Sequence, residues 1–216
     1  MYTDLFKMIK IIIADDHAVV RRGLKQILQE AFSKAQISEV EDAEALLKKV
    51  MEESFDLVIS DISMPGCSGL DVLHEIKKLY PKLPVLILSM HSEDLYAIRV
   101  LKAGASGFLN KDFVPDQLIE AVNRLISGKK YITENIAERL ANSLDHDENK
   151  LSHENLSDRE FEVLKYISAG QTVSDIANRL SLSVTTISTY RARIMNKMNL
   201  KTNAALMMYS MENKLV

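Results

Sequence analysis

The sequence is poor in cysteine and has no long apolar run, and both absences narrow the classes of protein to which it can belong. Its 216 residues include one cysteine, Cys67, which rules out an intramolecular disulfide and suits a reducing cytoplasm. The longest apolar stretches, IIIA at 11–14 and VLIL at 85–88, are far shorter than the roughly 20 residues of a membrane-spanning helix. The opening MYTDLFKMIKIII lacks the apolar core and cleavage site of a secretion signal, and Met8 is an alternative start. We therefore expect a cytoplasmic protein with no membrane partner.

Charge of neither sign dominates the whole chain, but its distribution is uneven. The formal net charge is -3, and residues 1–150 carry 19 basic and 24 acidic side chains. Residues 151–216 carry 8 and 6, and within 176–216 the count is 6 basic to 1 acidic. A basic C-terminal end is compatible with a nucleic-acid surface, although a solvated basic face is the commoner cause of such a pattern.

Short apolar runs alternate with helical patterns over roughly residues 8–128, which we expect to form one domain. Alternating strands and helices predict βαβ crossovers and a doubly wound, five-stranded parallel sheet covered on both faces, the α/β class. The predicted strands are KIIIA (10–14), ISEVE (37–41), DLVIS (56–60), PVLIL (84–88) and GFL (107–109).

The rest of the chain shows no strand signals. A helix is predicted at 133–143, and the polar, unpatterned LDHDENKLSHEN (144–155) is typical of a linker. We therefore assign 129–150 to a helix and linker, and 151–216 to a small all-α domain.

Polar side chains follow four of the five predicted strands. Asp15 and Asp16 come after the first strand, Asp61 after the third, Ser89 after the fourth and Lys111 after the fifth. The carboxyl ends of parallel strands meet at one edge of the sheet, where ligands bind. Three crowded carboxylates resist ionisation unless a cation is present, and Mg²⁺ accepts carboxylates while leaving positions for phosphate oxygens. The pattern predicts a Mg²⁺ site where a lysine and a hydroxyl hold a transferred phosphoryl group.

Asp61 is the candidate nucleophile of this cluster, because an aspartate can become an acyl phosphate. Pro65 and Gly66 are expected to shape a turn that exposes its carboxylate. The alternative is that each acid merely caps the following helix, which is the simpler explanation for Asp15 or Asp16 alone. It does not explain five polar residues in one register.

The motifs ADDH, DISMPGCSGL, ILSMHSE and GASGFLNKD resemble a receiver domain of two-component signalling, which has a flavodoxin-like fold. The resemblance implies that Asp61 is the phosphoacceptor, and that Ser89 and Phe108 form the switch. The metal ligands that it implies are Asp15, Asp16, Asp61 and the backbone carbonyl of Ser63. It also makes Ser89 and Lys111 the hydroxyl and lysine that act on the phosphoryl group.

The C-terminal region has helix-start signals at three places. Ser157 and Glu160 are spaced as a capping box, Thr172 precedes VSDIANRL, and Ser183 precedes VTTISTYRARIMNKM. Gly170 is placed to stop the first of these helices. Two short helices joined by a tight turn, followed by a longer one with a polar face, predict a helix-turn-helix.

The last of these helices has the periodicity of a helix that packs on one side. Its predicted core face is formed by Ile187, Tyr190, Ile194 and Met198. The predicted DNA-binding face carries Thr185, Ser188, Thr189, Ala192 and Asn196, with Arg191, Arg193 and Lys197 on its flanks. Small polar side chains near base edges and flanking cations near phosphates suit a helix in the major groove, the alternative being a solvated amphipathic helix.

The segments LSDREFEVL, TVSDIANRLSLS and TISTYRARIMNKM resemble a LuxR-type DNA-binding domain, and with the receiver the likeness is to NarL/FixJ-type response regulators. In many members a histidine stands at the position of Tyr190, a lysine at Thr185, and in some a basic residue at Ala192. These departures concern the base contacts. The resemblance also implies that the last helix, about 203–213, pairs DNA-binding domains.

The resulting prediction is a transcription factor, not an enzyme, that a sensor histidine kinase activates by phosphorylating Asp61. The implied partners are that kinase, double-stranded promoter DNA, a second copy of the chain when phosphorylated, and RNA polymerase as a further candidate. The sequence names neither the stimulus nor the operator.

Two other classes of function fit the sequence less well. A Mg²⁺-dependent phosphohydrolase similar to the haloacid dehalogenase group would carry D-x-D after the first strand, where this chain has DD. A binding module that acts without phosphorylation does not explain the acid cluster. The five histidines, His17, His74, His91, His146 and His153, show no metal-ligand spacing and are expected on the surface or in packing.

Overall fold

The computed structural model describes residues 8–64, 69–90, 93–138, 152–213 and 215. The chain divides into two compact units, Met1–Glu138 and Arg139–Val216. The predicted domain boundaries at 128 and 151 stay predictions. Among the described residues, no helix is both long and apolar enough to cross a membrane.

The first unit is built on a five-stranded parallel sheet in the order β2-β1-β3-β4-β5, so the predicted fold class is confirmed. Its strands are β1 (Lys10–Ala14), β2 (Gln36–Val40), β3 (Leu57–Asp61), β4 (Val85–Ser89) and β5 (Gly107–Asn110). The helices that alternate with them are α1 (Ala18–Ala31), α2 (Ala43–Glu52), α3 (Gly69–Leu79), α4 (Glu93–Lys102) and α5 (Pro115–Ile126).

The predicted ends of β3 and β4 were wrong by one residue. Asp61 and Ser89 are the last residues of these strands and do not follow them. Their backbones still pair in the sheet, Asp61 opposite Leu88 and Ser89 opposite Asn110. The polar side chains therefore project from the strand ends themselves.

The strands lie in the core because helices cover both faces of the sheet. Ile11, Ile12 and Ile13 are each fully buried although successive side chains point to opposite faces. Burial on both faces explains why each strand reads as a continuous apolar run. Gly128 has a φ of +75°, a value that suits glycine, and it follows the end of α5 as predicted.

The predicted helix at 133–143 is helical at residues 134–138, and its remainder lies outside the described residues. The predicted linker was partly wrong, because its end forms a 3-10 helix, Ser152–Asn155. A side-chain contact holds this 3-10 helix in place, because His153 Nδ1 lies 2.9 Å from the hydroxyl of Tyr209 in the last helix. Side-chain contacts thus give structure to a segment that has no apolar periodicity.

The second unit contains helices α6 (Asp158–Ser168), α7 (Val173–Arg179), α8 (Val184–Met198) and α9 (Asn203–Glu212). The predicted helix starts are confirmed, because Ser157, Thr172 and Ser183 each accept a backbone hydrogen bond as N-cap residues. The helices enclose a small core of fully or nearly fully buried side chains: Phe161, Leu164, Ile176, Ile187, Ile194 and Leu206.

Candidate functional site

Three charged side chains meet at the carboxyl edge of the sheet. Asp15 follows β1, Asp61 ends the neighbouring β3, and Lys111 follows β5. The Nζ atom of Lys111 lies 2.6 Å from Asp15 Oδ2 and 2.8 Å from Asp61 Oδ2. All three side chains are nearly inaccessible, at 1%, 3% and 4% exposure for Asp15, Asp61 and Lys111. The structure therefore brings together the acids and the lysine that the strand ends predicted.

Burial and charge act in opposite directions on this cluster. The pKa of Asp61 is raised above its ordinary value, chiefly by burial and also by the nearby Asp15 carboxylate. The hydrogen bond and the charge of Lys111 act in the opposite direction and only partly offset this rise. Burial lowers the pKa of Lys111, but its close contacts with the carboxylates of Asp15 and Asp61 outweigh burial and leave the pKa raised. Lys111 is thus a stable ammonium, while Asp61 is a carboxylate that gains from further positive charge.

The acidic edge has the donors that a hard divalent cation requires. One ligand atom from each of Asp15, Asp16, His17 and Asp61 lies within 4.8 Å of the others. Asp15 Oδ2 is buried and contacts Lys111, yet it receives no hydrogen bond of good geometry. Carboxylate oxygens that are close together and incompletely satisfied fit Mg²⁺, which prefers oxygen ligands.

The remaining predicted residues of this pocket lie around it. The backbone N–H of Ser63 donates to Asp61 Oδ1 at 3.2 Å, and the role of its carbonyl stays a prediction. Ser89 and Phe108 are fully buried on neighbouring strands, with Ile87 opposite Phe108 and Ser89 opposite Asn110. The side chains of Ser89 and Phe108 therefore point to the same face of the sheet, and the Leu88–Leu109 pair lies between their positions along the strands. Their function as a switch stays a prediction.

Two residues near the pocket were missed from the sequence. His17 is on the surface as expected, yet its Nδ1 lies 2.7 Å from Asp16 Oδ1, a contact that only its adjacency to the acids suggests. Gly69 begins α3 against the end of β3, where an added Cβ would lie 2.5 Å from the Asp61 carbonyl oxygen. The predicted turn at Pro65 and Gly66 lies outside the described residues.

The DNA-binding face predicted on α8 is open to solvent along its length. Its exposed members are Thr185, Ser188, Thr189, Ala192, Arg193, Asn196 and Lys197, whereas Arg191 is half-buried. The opposite face is buried at Ile187, Ile194 and Met198, as predicted, but Tyr190 is only partly buried.

Two of the three flanking cations have partners within the second unit. Arg191 Nε donates to Asn203 Oδ1 at 2.7 Å, and Lys197 Nζ donates to Glu160 Oε2 at 2.7 Å. Burial raises the pKa of Glu160, but the bonds from Lys197 and Ser157 outweigh it and leave the pKa lowered. Arg193 makes no hydrogen bond or ion pair with any residue that the structure describes. The prediction treated the three cations as equivalent, and their contacts differ.

Both units of the chain are similar to known proteins. Residues 11–123 match the response regulator receiver domain, and residues 154–210 match the bacterial regulatory proteins of the luxR family. Response regulator UvrY of Escherichia coli K12 is 31% identical over 200 residues, 92% of each chain. Oxygen regulatory protein NreC of Staphylococcus epidermidis RP62A is 37% identical over 215 residues, 96% of this chain and 99% of its own.

The similar solved structures include RcsB from Salmonella enterica serovar Typhimurium, bound to promoter rprA in the presence of the phosphomimetic BeF3⁻. It is 27% identical, has a TM-score of 0.67, and aligns over 94% of this chain and 98% of its own. The similarity thus extends over both units of the chain.

Proposed function

We propose a phosphorylation-controlled mechanism for this chain, which belongs to the DNA-binding response regulators of two-component systems and joins a receiver domain to a LuxR-type DNA-binding domain. The resemblance predicted from the sequence is confirmed. The proposal itself concerns which residues accept the phosphoryl group, what they bind, and how the signal reaches DNA.

The observation that carries the proposal is the position of Asp61 beside Lys111. A carboxylate oxygen of Asp61 attacks the phosphorus of a phosphohistidine or of a small acyl phosphate. The new P–O bond forms as the bond to the imidazole nitrogen or the acetate oxygen breaks, and the leaving group departs with that electron pair. The Lys111 ammonium, 2.8 Å from Asp61 Oδ2, is placed to stabilise the negative charge of the transferred oxygens.

Asp15, Asp16 and Asp61, with the Ser63 carbonyl, would hold Mg²⁺. A bound Mg²⁺ supplies positive charge that neutralises phosphoryl oxygens. The chain's contribution is to place the buried carboxylates of Asp15 and Asp61 beside the exposed carboxylate of Asp16, where their mutual repulsion favours a bound cation.

The signal then passes through the shared face of β4 and β5. We infer that the Ser89 hydroxyl bonds the phosphoryl group and that Phe108 follows inward, remodelling the surface of α4, β5 and α5. A phosphoryl group can shift a conformational equilibrium only through its different interaction with the two states. Ser89 and Lys111 are the groups that can supply this difference.

The outcome that we infer is a dimer that holds two DNA half-sites, with a sensor histidine kinase as the phosphodonor and RNA polymerase as a candidate later partner. The RcsB structure with promoter DNA and a phosphomimetic supports this coupling by similarity. On α8, Ser188 and Thr189 would contact base edges while Arg191 and Arg193 contact phosphates; Thr185, Ala192 and Asn196 line the same face.

The phosphoacceptor is tested by intact mass spectrometry after incubation with Mg²⁺ and acetyl phosphate. Wild type should gain one acid-labile phosphoryl group, and Asp61→Asn should gain none. Asp112→Asn is the matched control, because Asp112 is exposed and adjacent to Lys111. Equal labelling of wild type and Asp61→Asn would falsify the assignment.

The coupling to DNA is tested by sedimentation velocity and by gel-shift titration against fragments selected from random DNA. Phosphorylation should convert a mainly monomeric protein to a dimer and tighten binding to a two-half-site operator. Ser89→Ala should accept phosphate but show a reduced shift. Identical mass distributions and affinities with and without phosphodonor would refute the coupling.

The alternative of a phosphohydrolase is separated by a simple assay. We expect negligible turnover of small phosphate esters, since the pocket forms one adduct and has no predicted cap over it. Sustained release of phosphate from such esters, lost in Asp61→Asn, would instead favour the hydrolase.

A further inference from the structure

His17 follows Asp15 and Asp16 at the carboxyl edge of the sheet, and its side chain is directed to these two acids. It occupies the N-cap position of α1, but its side chain makes no capping hydrogen bond to that helix. Its Nδ1 instead lies 2.7 Å from Asp16 Oδ1 and 3.3 Å from Asp15 Oδ1. The imidazole is 66% exposed, so packing does not hold it against the acids.

These separations correspond to the edges of a coordination polyhedron. Ligand atoms about 2.1 Å from a metal ion at right angles to each other lie about 3.0 Å apart. The two distances from Nδ1 to Asp16 and Asp15 bracket this value. Asp61 completes a group whose ligand atoms all lie within 4.8 Å of one another. The buried Asp15 Oδ2 lies 2.6 Å from the Lys111 ammonium and receives no well-directed hydrogen bond, so it keeps acceptor capacity for a further cation.

The kind of donor decides which cation gains from His17. Mg²⁺ prefers oxygen and keeps several waters, so a nitrogen ligand gives it little. Imidazole is a good ligand for the first-row transition metals, whose affinity for mixed nitrogen and oxygen sites exceeds that of hard cations. A pocket of carboxylates alone lacks this preference.

We propose that His17 Nδ1 is a ligand of the divalent cation in this pocket, and that it makes the pocket selective for transition-metal cations such as Mn²⁺ and Zn²⁺ over Mg²⁺. This inference rests on the proposed function, in which the same carboxylates hold a divalent cation. It adds His17 Nδ1 to the ligands of that cation, and it names transition-metal cations as the preferred class, a preference that the carboxylates alone do not give. The receiver would then respond to the transition metal that is available as well as to its phosphodonor.

The test is pulsed electron paramagnetic resonance of Mn²⁺ bound to the intact, untagged protein. A directly coordinated imidazole nitrogen gives a nitrogen modulation, which wild type should show and His17→Ala should lack. Isothermal titration calorimetry should show that His17→Ala loses about tenfold or more in Mn²⁺ affinity. Its Mg²⁺ affinity should change by less than about twofold, because the carboxylates remain. His74→Ala, an exposed histidine on α3, is the matched control.

Four results would overturn the proposal, and they point to different failures. Wild type that binds Mn²⁺ without a nitrogen modulation, or the same Mn²⁺ to Mg²⁺ preference in His17→Ala, removes His17 as a ligand and leaves the proposed function intact. Wild type that binds neither cation removes the cation site, and the proposed function then fails with it. If His74→Ala instead lost the nitrogen modulation and the Mn²⁺ affinity, the coordinating nitrogen would belong to His74 and not to His17.

Discussion

Replacing Lys111 by methionine tests how the acid pocket balances its charges. The methionine keeps an unbranched apolar side chain but removes the ammonium that lies within 2.8 Å of two buried carboxylates. Removing one partner of a buried ion pair costs about 3–5 kcal/mol of unfolding free energy, because it leaves charge buried and unpaired. The cost here should lie near 3 kcal/mol, since burial raises the pKa of Asp61 and allows it to take up a proton.

Divalent cations should reverse most of this loss. Without the ammonium of Lys111 the pocket is more negative, so it should bind Mg²⁺ more tightly than wild type does. Wild type is stabilised by the Mg²⁺ that it binds as well, so the difference between the two proteins falls only by the ratio of their affinities, about 1.4 kcal/mol for each tenfold. A variant that binds Mg²⁺ about a hundredfold more tightly than wild type should therefore come within about 1 kcal/mol of wild-type stability in excess Mg²⁺. Phosphorylation should remain impaired, because the cation does not replace the lysine beside the phosphoryl group.

The assay is urea unfolding followed by far-ultraviolet circular dichroism, in EDTA and in excess Mg²⁺. Lys102→Met, at an exposed position on α4, is the control and should match wild type in both buffers. A Lys111→Met protein as stable as wild type in EDTA, or a deficit that Mg²⁺ leaves unchanged, would refute the reasoning about charge balance.

Three further substitutions test other contacts. Gly69→Ala places a Cβ 2.5 Å from the Asp61 carbonyl oxygen, so it should cost about 1–3 kcal/mol in urea unfolding and slow phosphorylation; wild-type behaviour would contradict this. Burial lowers the pKa of Lys165 to about 8, so the folded state binds fewer protons than the unfolded state between pH 8 and 10.5, and stability rises with pH there. Lys165→Met should be more stable than wild type at pH 7, and the gain should disappear by about pH 10.5; a pH-independent difference would contradict the cause. Asn203→Ala releases the Arg191 guanidinium and should weaken DNA binding several-fold in fluorescence anisotropy with little change in unfolding, whereas equal loss of both would indicate a purely structural role.

The sheet could be predicted from the sequence because each buried strand is a continuous apolar run. The same logic failed at the ends of β3 and β4, where Asp61 and Ser89 were assigned to loops. A polar side chain is the usual sign that a buried strand has ended. In β3 and β4 the backbone is paired in the sheet as far as the last residue, Asp61 or Ser89, although the side chain of that residue is polar. The register of the sheet shows this, and the sequence does not.

The pocket could be predicted as far as topology determines it. Asp15 follows β1, Asp61 ends the neighbouring β3, and Lys111 follows β5, two places further along the sheet, so their proximity comes from the parallel strand order. The contacts of His17 and Gly69 depend on a rotamer and on how closely α3 approaches the backbone of β3. Neither has a sequence period; the adjacency of His17 to Asp16 is the one signal for its contact, and the sequence has none for the close approach at Gly69.

The flank of α8 shows the same limit on prediction. Helical periodicity places Lys197 near the DNA-binding face, but it cannot distinguish a phosphate contact from an internal ion pair. Glu160 is 3% exposed, accepts from the backbone N–H of Ser157 at 2.7 Å, and is paired with Lys197. Withdrawing the lysine to a phosphate would leave this carboxylate buried without its cation, at a cost of about 1–3 kcal/mol once the 41% exposure of Lys197 and the screening by water are allowed for.

An exposed phosphate contact does not return that much energy, so Lys197 should stay with Glu160 when DNA binds. Each phosphate neutralised contributes about -0.9 to the slope of log K against log salt for duplex DNA. Arg193→Met should therefore reduce the slope by about one per bound unit, while Lys197→Met should leave it unchanged and lower the unfolding free energy instead. Fluorescence anisotropy titrations at several salt concentrations, with urea unfolding of the same variants, measure both quantities. If Lys197→Met reduced the salt slope as much as Arg193→Met while keeping wild-type stability, the internal pair would not survive binding. Lys197 would then be a phosphate contact.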